Sequence, residues 1–207
     1  MPDLIMLDAK LKPVIDLLLI LPARGLSRLG VSANVITLVG AGIGLLAFVM
    51  VCLGYLWAAL ICICLNRLAD GMDGAVAREV GTTDLGGYLD IVFDFLFYSS
   101  IPLGFAIADA AHAQIAAFLI FCFVGTGASF LTFATIAAKH DMDLKPHSQK
   151  SFYYLGGLTE GTETFGFLIL ICLFPEWFFW FALGFGCLCL LTTATRMLMA
   201  VDAFSSH

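Results

Sequence analysis

Six apolar stretches constrain this chain more than any other feature and read as spans at about residues 33–54, 56–78, 87–108, 114–138, 157–174 and 177–199, three of them reaching that length only when extended through a polar end. A segment of roughly 20 apolar residues matches the hydrocarbon thickness of a bilayer. Backbone amides and carbonyls surrounded by lipid must satisfy one another, and a helix does so within one segment. The expected fold is therefore an all-α polytopic membrane protein with six transmembrane helices. The chain of 207 residues is 61% hydrophobic and 13% charged, against about 25% charged in an ordinary soluble domain. Six spans leave little chain for anything else, so residues 1–207 read as one membrane domain. A secreted fold, a disordered chain and a nucleic-acid binder are excluded, and the net charge of −6 provides no basic surface for a polyanion.

Cys52, Cys62, Cys64, Cys122, Cys172, Cys187 and Cys189 all fall inside apolar runs, in spacings that lack the Cys-x-x-Cys and histidine pattern of a zinc site. They read as small buried hydrophobes.

The ten basic residues set the orientation. Lys10, Lys12, Arg24 and Arg28 precede the first span. Arg67 and Arg78 sit in the second half of span 2, Lys139, Lys145 and Lys150 lie between spans 4 and 5, and Arg196 is in the last third of span 6. The opposite loops carry Asp109 and Glu176 instead. Positive charge gathers on the cytoplasmic side, which puts both termini in the cytosol. Residues 11–29, with an apolar Leu17–Leu21 run and basic flanks, are too short to span and read as an amphipathic interfacial helix on the cytoplasmic leaflet.

Ionisable groups inside spans are costly and mark function. Asp70 and Asp73 are three apart on span 2, and Asp90 and Asp94 are four apart on span 3, so each pair shares a helix face. A glycine-bearing turn, Gly81 to Gly87, joins the spans, and antiparallel packing is expected to bring the pairs to one depth. Four carboxylates in a low dielectric need cations. An all-oxygen donor set suits Mg²⁺ or Mn²⁺, and two ions could share it. Gly71 and Gly74 remove side chains beside the aspartates, and Arg78 adds a fixed cation for phosphate. Metal, arginine and membrane depth together indicate a lipid carrying a diphosphate.

The string Asp70-x-x-Asp73-Gly74-x-x-Ala77-Arg78, seven residues, Gly86-x3-Asp90-x3-Asp94 closely resembles the signature of the CDP-alcohol phosphatidyltransferase family. Ser32-Ala33-Asn34-Val35-Ile36-Thr37 is similar to the family's Pro-Asn-x-Ile-Thr segment opening span 1. Ala33 replaces the usual proline, and the Arg78–Gly86 spacer is one residue short of the commonest length. Neither departure removes a charged group. The stretch from Lys150 to Thr164 is similar to a bacterial inner-membrane branch of the family.

The resemblance implies transfer of a phosphatidyl group from CDP-diacylglycerol to a small polar alcohol (glycerol 3-phosphate, inositol or another polyol, or an amino alcohol) with release of CMP. It implies metal ligation by Asp70, Asp73 and Asp90, with Asp94 completing the cluster or taking the acceptor proton. It also implies that Gly74 and Arg78 contact the cytidine diphosphate, with Asn34 and Thr37 in reach of the nucleotide or capping span 1. A homodimer is implied by resemblance alone, and the resemblance points to a bacterial inner membrane, while the distribution of basic residues puts the active site on its cytoplasmic face. For the acceptor, Glu160 and Glu163, interleaved with Thr159, Thr162 and Thr164, are candidates beside Lys150, Lys139 and Arg196. Plain capping of span 5 competes for the glutamates.

Two other classes compete with this reading. A UbiA-like prenyltransferase calls for longer aspartate motifs, more spans and a larger chain. A divalent-cation transporter calls for acidic residues at several depths, and the opposite half carries only Asp109 and Glu176.

Overall fold

The computed structural model describes residues 19–140 and 159–205. Helix α1 covers residues 19–28. It is followed by α2 (Ala33–Cys52), α3 (Leu56–Val80), α4 (Asp84–Ala108), α5 (Ala113–Lys139), α6 (Gly161–Leu173) and α7 (Phe178–Phe204), with single 3₁₀ turns ahead of α5 and α7. No strand occurs among the described residues, and the protein is an all-α membrane protein. Residues 11–18 of the expected interfacial helix, both chain termini, and Lys145 and Lys150 lie outside the described residues.

Among the described residues, four helices are long and apolar enough to cross a membrane, namely α2, α4, α5 and α7. The other two expected spans differ in instructive ways. Helix α3 has 25 residues, about 37 Å at 1.5 Å per residue, but carries Arg67, Asp70, Asp73, Arg78 and Glu79. Helix α6 is apolar but has 13 residues. Helix ends also depart from the apolar limits: α4 begins at Asp84 rather than 87, and α7 runs to Phe204 rather than 199. Hydropathy locates the lipid-facing part of a helix, whereas its ends are set by hydrogen bonding. Thr83 caps α4 by accepting from the Gly86 amide at 3.0 Å. The expected Gly81–Gly87 turn thus shrinks to residues 81–83. Gly81, at φ +112°, stops α3 in a conformation that favours glycine.

Large apolar side chains such as Leu45, Trp57, Phe121 and Leu198 face outward, as suits a molecule solvated by lipid. The core in the half away from the aspartates holds Phe105 stacked on Phe178 at 4.4 Å and Phe167 on Phe185 at 4.5 Å. All seven cysteines are free thiols. Cys62, Cys122, Cys172 and Cys189 are buried as expected, but Cys64 and Cys187 are exposed, because a residue two positions along a helix turns to another face.

Helix α2 is the spine of the site. It packs on both α3 and α4, whose own backbones make few direct contacts. A Cβ at Gly40 would stand 3.1 Å from the Ala69 Cβ, and one at Gly44 would stand 3.0 Å from Phe97 and 3.1 Å from Asn66. A larger residue at either position would push its neighbours outward, so glycine suits that approach. The aspartate pairs therefore meet across a cleft floored by α2, rather than through the direct α3–α4 packing expected from the hairpin.

Candidate active site

Asp70 and Asp73 project from α3, and Asp90 from α4. One carboxylate oxygen of each lies within 4.8 Å of those of the other two. That is a hard, all-oxygen donor set from two helices, with a geometry one divalent ion could bridge. Asp73 is buried, at 6% exposure. Its Oδ2 accepts a 2.6 Å hydrogen bond from the Thr37 hydroxyl of α2. Asn66 donates to the Gly40 carbonyl at 2.9 Å, pinning α3 to the same helix.

Asp94 stands apart from that trio. Its Oδ1 accepts from Arg67 Nη2 at 2.6 Å. In the sequence Arg67 reads only as a topology-setting charge; in the fold it lies midway along α3 and inside the site. Its Nη1 donates to the Tyr98 hydroxyl at 2.8 Å and lies 3.5 Å from Asp70 Oδ2, and its Nε donates to Asn66 Oδ1 at 2.9 Å. Arg67, Asn66 and Tyr98 thus join the site without having been singled out in the sequence. The signal was there: Arg67 precedes Asp70 by three residues, and Tyr98 follows Asp94 by four, which are same-face spacings.

Of the residues expected to bind the nucleotide, Thr37 lines the cleft of the trio. A Cβ at Gly74 would touch Arg78 Nη1 at 3.5 Å, so the missing side chain leaves room beside that guanidinium. Asn34 does not cap α2, where Ser32 is the N-cap. Its Oδ1 instead lies 2.8 Å from where a Gly86 Cβ would stand, so the glycine leaves room for Asn34 beside the start of α4. The Thr37 hydroxyl is engaged on Asp73.

A second cavity, of about 380 Å³, opens beside the aspartates. Asp90 and Asp94 line both this cavity and the cleft of the trio. Thr126, Thr159, Glu160, Thr164 and Arg196 line the far side. Arg196 is buried, donates to the Thr126 carbonyl at 3.1 Å and lies over the Phe130 ring. The two glutamates form the capping box of α6: each side chain accepts from the other's backbone amide, with Glu160 N to Glu163 Oε2 at 3.2 Å. Capping therefore accounts for Glu163, whereas Glu160 also faces the cavity. Lys139 ends α5; Lys150 is outside the described residues.

Comparison with known proteins places the chain. The family profile described as CDP-alcohol phosphatidyltransferase matches residues 30–201. The inner membrane protein YnjF of Escherichia coli K12 is 53% identical over 193 residues, covering 93% of this chain and 94% of that protein. Among solved structures, phosphatidylinositol phosphate synthase PgsA1 of Mycobacterium tuberculosis, crystallised with CDP-DAG bound, shares the fold at a TM-score of 0.64 and 22% identity, covering 88% of this chain and 93% of that one. The signature aspartates in their cleft and the profile match across most of the sequence lead to one conclusion: the chain belongs to the CDP-alcohol phosphatidyltransferase family.

Proposed function

We propose that this protein transfers the phosphatidyl group of CDP-diacylglycerol to the hydroxyl of a small polar alcohol and releases CMP, at the cytoplasmic face of a bacterial inner membrane. The observation that carries the reading is the junction at Asp90 and Asp94, shared by the carboxylate trio and the polar cavity. A donor diphosphate at the trio and an acceptor in the cavity would meet there. Family membership supports the donor class, and the PgsA1 complex holds CDP-DAG on the same fold. YnjF, named as an inner membrane protein, supports the location.

Asp70, Asp73 and Asp90 would hold Mg²⁺ or Mn²⁺, one ion or two. When bound, such ions polarise phosphoryl oxygens and neutralise charge on a leaving phosphate. The chain's own residues do the rest. Arg78, with the space left by Gly74, would hold the donor phosphates, and Asn34 at the α2–α4 junction would border the nucleotide. Asp94 would take the acceptor's hydroxyl proton as that oxygen bonds to the phosphatidyl phosphorus and the bond from phosphorus to the CMP oxygen breaks. Arg196, Glu160 and the threonine hydroxyls would hold the acceptor, a set that suits glycerol 3-phosphate, a polyol such as inositol, or an amino alcohol. A homodimer is part of the proposal on family grounds alone.

The test is purified protein with CDP-diacylglycerol and Mg²⁺ or Mn²⁺. The acceptor panel is glycerol 3-phosphate, serine, inositol and inositol phosphate, with lipid products read by mass spectrometry and CMP by chromatography. Asp94→Asn should abolish transfer while leaving the helical spectrum unchanged. Full activity in that variant would sink the assignment of the base. Inorganic diphosphate in place of CMP would instead indicate prenyl transfer, and Mn²⁺ flux into liposomes lacking donor lipid would indicate a transporter.

A further inference from the structure

The proposed reaction makes explicit use of the aspartates, Arg78 and Arg196, and leaves Arg67 without a role. Arg67 is nonetheless held by several partners inside the site. Its three guanidinium nitrogens reach four side chains: Asp94 at 2.6 Å, Tyr98 at 2.8 Å, Asn66 at 2.9 Å and Asp70 at 3.5 Å. Its charge lies 4.7 Å from the centre of the Phe97 ring and 4.9 Å from that of Tyr98. Its side chain is 12% exposed. The anchor continues beyond it, because Asn66 is fastened to the Gly40 carbonyl of α2. A rigid fork with fixed directions is what such a set of partners requires, and a lysine ammonium cannot reproduce it.

We infer that Arg67 is a positioning residue, holding the Asp94 carboxylate at the boundary between the carboxylate trio and the acceptor cavity. The inference rests on the function proposed above and adds a residue to it. Asp94 sits on α4, while the trio draws two of its three members from α3. These helices make little direct contact and are held at their distance through α2, which leaves the direction of the Asp94 carboxylate to be fixed by a side-chain bond. The Arg67–Asp94 bond spans the gap and carries Tyr98, another residue of the cavity wall, with it. An acceptor proton must be met by a carboxylate placed to within a fraction of an ångström, and misplacement by about 1 Å can cost 100-fold in rate. A merely neutralising role would need only a positive charge nearby.

The experiment compares wild type, Arg67→Lys, Arg67→Met and Asp70→Asn in detergent. Binding of Mn²⁺ alone is measured by calorimetry, and CMP release is followed against CDP-diacylglycerol concentration with the acceptor panel. Arg67→Met should lower kcat about 100-fold with KM for CDP-diacylglycerol unchanged. It should also bind Mn²⁺ roughly two- to tenfold more tightly, since a cation beside Asp70 has been removed. Arg67→Lys should recover about tenfold of the lost kcat by restoring the charge and one bond to Asp94. Wild-type kcat in Arg67→Met overturns the inference, as does a lysine variant with wild-type kcat, because a positive charge alone would then suffice. Weakened Mn²⁺ binding in Arg67→Met also overturns it, because the whole site has then collapsed. A wild type that releases no CMP with any acceptor, or an Asp70→Asn that retains full activity, removes the proposed function and this inference with it. An active wild type beside an equally active Arg67→Met removes this inference alone.

Discussion

Thr37 offers the sharpest test of how the site is built, since one proton separates its two conservative variants. Its hydroxyl lies 2.6 Å from Asp73 Oδ2 and 3.1 Å from the Ala33 carbonyl. A hydroxyl has one proton to donate, and the shorter contact, to an ionised acceptor, is the stronger. Thr37→Val keeps the shape and removes that donor, leaving a buried carboxylate without this bond. A hydrogen bond to a charged group contributes about 1.5–3 kcal/mol. If that energy serves to orient Asp73 toward the ion, its loss corresponds to a roughly 12- to 140-fold weaker Mn²⁺ affinity. The range agrees with the roughly 10- to 100-fold typical of losing a ligand's outer hydrogen-bond partner. Thr37→Ser keeps the proton and should bind Mn²⁺ within about threefold of wild type, the residual reflecting the missing methyl group. Calorimetric titration of the three proteins with Mn²⁺ decides the matter. A valine variant binding as tightly as wild type refutes the orienting role, and a serine variant as impaired as valine shows that packing, not the proton, is what matters.

Two further expectations follow from the packing and from the cavity. A Cβ at Gly127 would run into the Phe95 ring across the α4–α5 contact, so Gly127→Ala should lower stability by about 1–3 kcal/mol; thermal unfolding in detergent should show this, and Phe95→Leu should restore much of it. Arg196→Met should raise KM for the acceptor by roughly tenfold or more, the scale of one charge-assisted hydrogen bond, with KM for CDP-diacylglycerol unaltered; an unchanged acceptor KM would move the acceptor site elsewhere.

Much of the site was legible because its determinants are local. The spacing of Asp70 with Asp73, and of Asp90 with Asp94, is a property of one helix each, and the helical repeat converts it into a shared face. The same logic marked Gly74 and Arg78. Thr37 and Asn34 were found at the right end of α2, but their partners were not foreseen, because Asp73 and Gly86 lie on other helices. Glu160 and Glu163 looked like a single feature in the sequence. The chain's turn into α6 separates them, assigning Glu163 to the helix end and leaving Glu160 facing both that end and the cavity. Arg67 was visible as a charge but not as a partner of Asp94, 27 residues away.

The sequence by itself determined that this chain lives in a membrane as helices, and that its costly charges are concentrated in one signature. Both follow from effects that act along a single segment: the transfer of apolar side chains and the internal hydrogen bonding of a helix. Only the tertiary structure decided which charges meet. The glycine face of α2 holds α3 and α4 at a distance that lets three carboxylates converge, while the fourth is paired with an arginine. That outcome depends on contacts between segments far apart in the chain, at a scale of tenths of an ångström, and no periodicity within one helix encodes it.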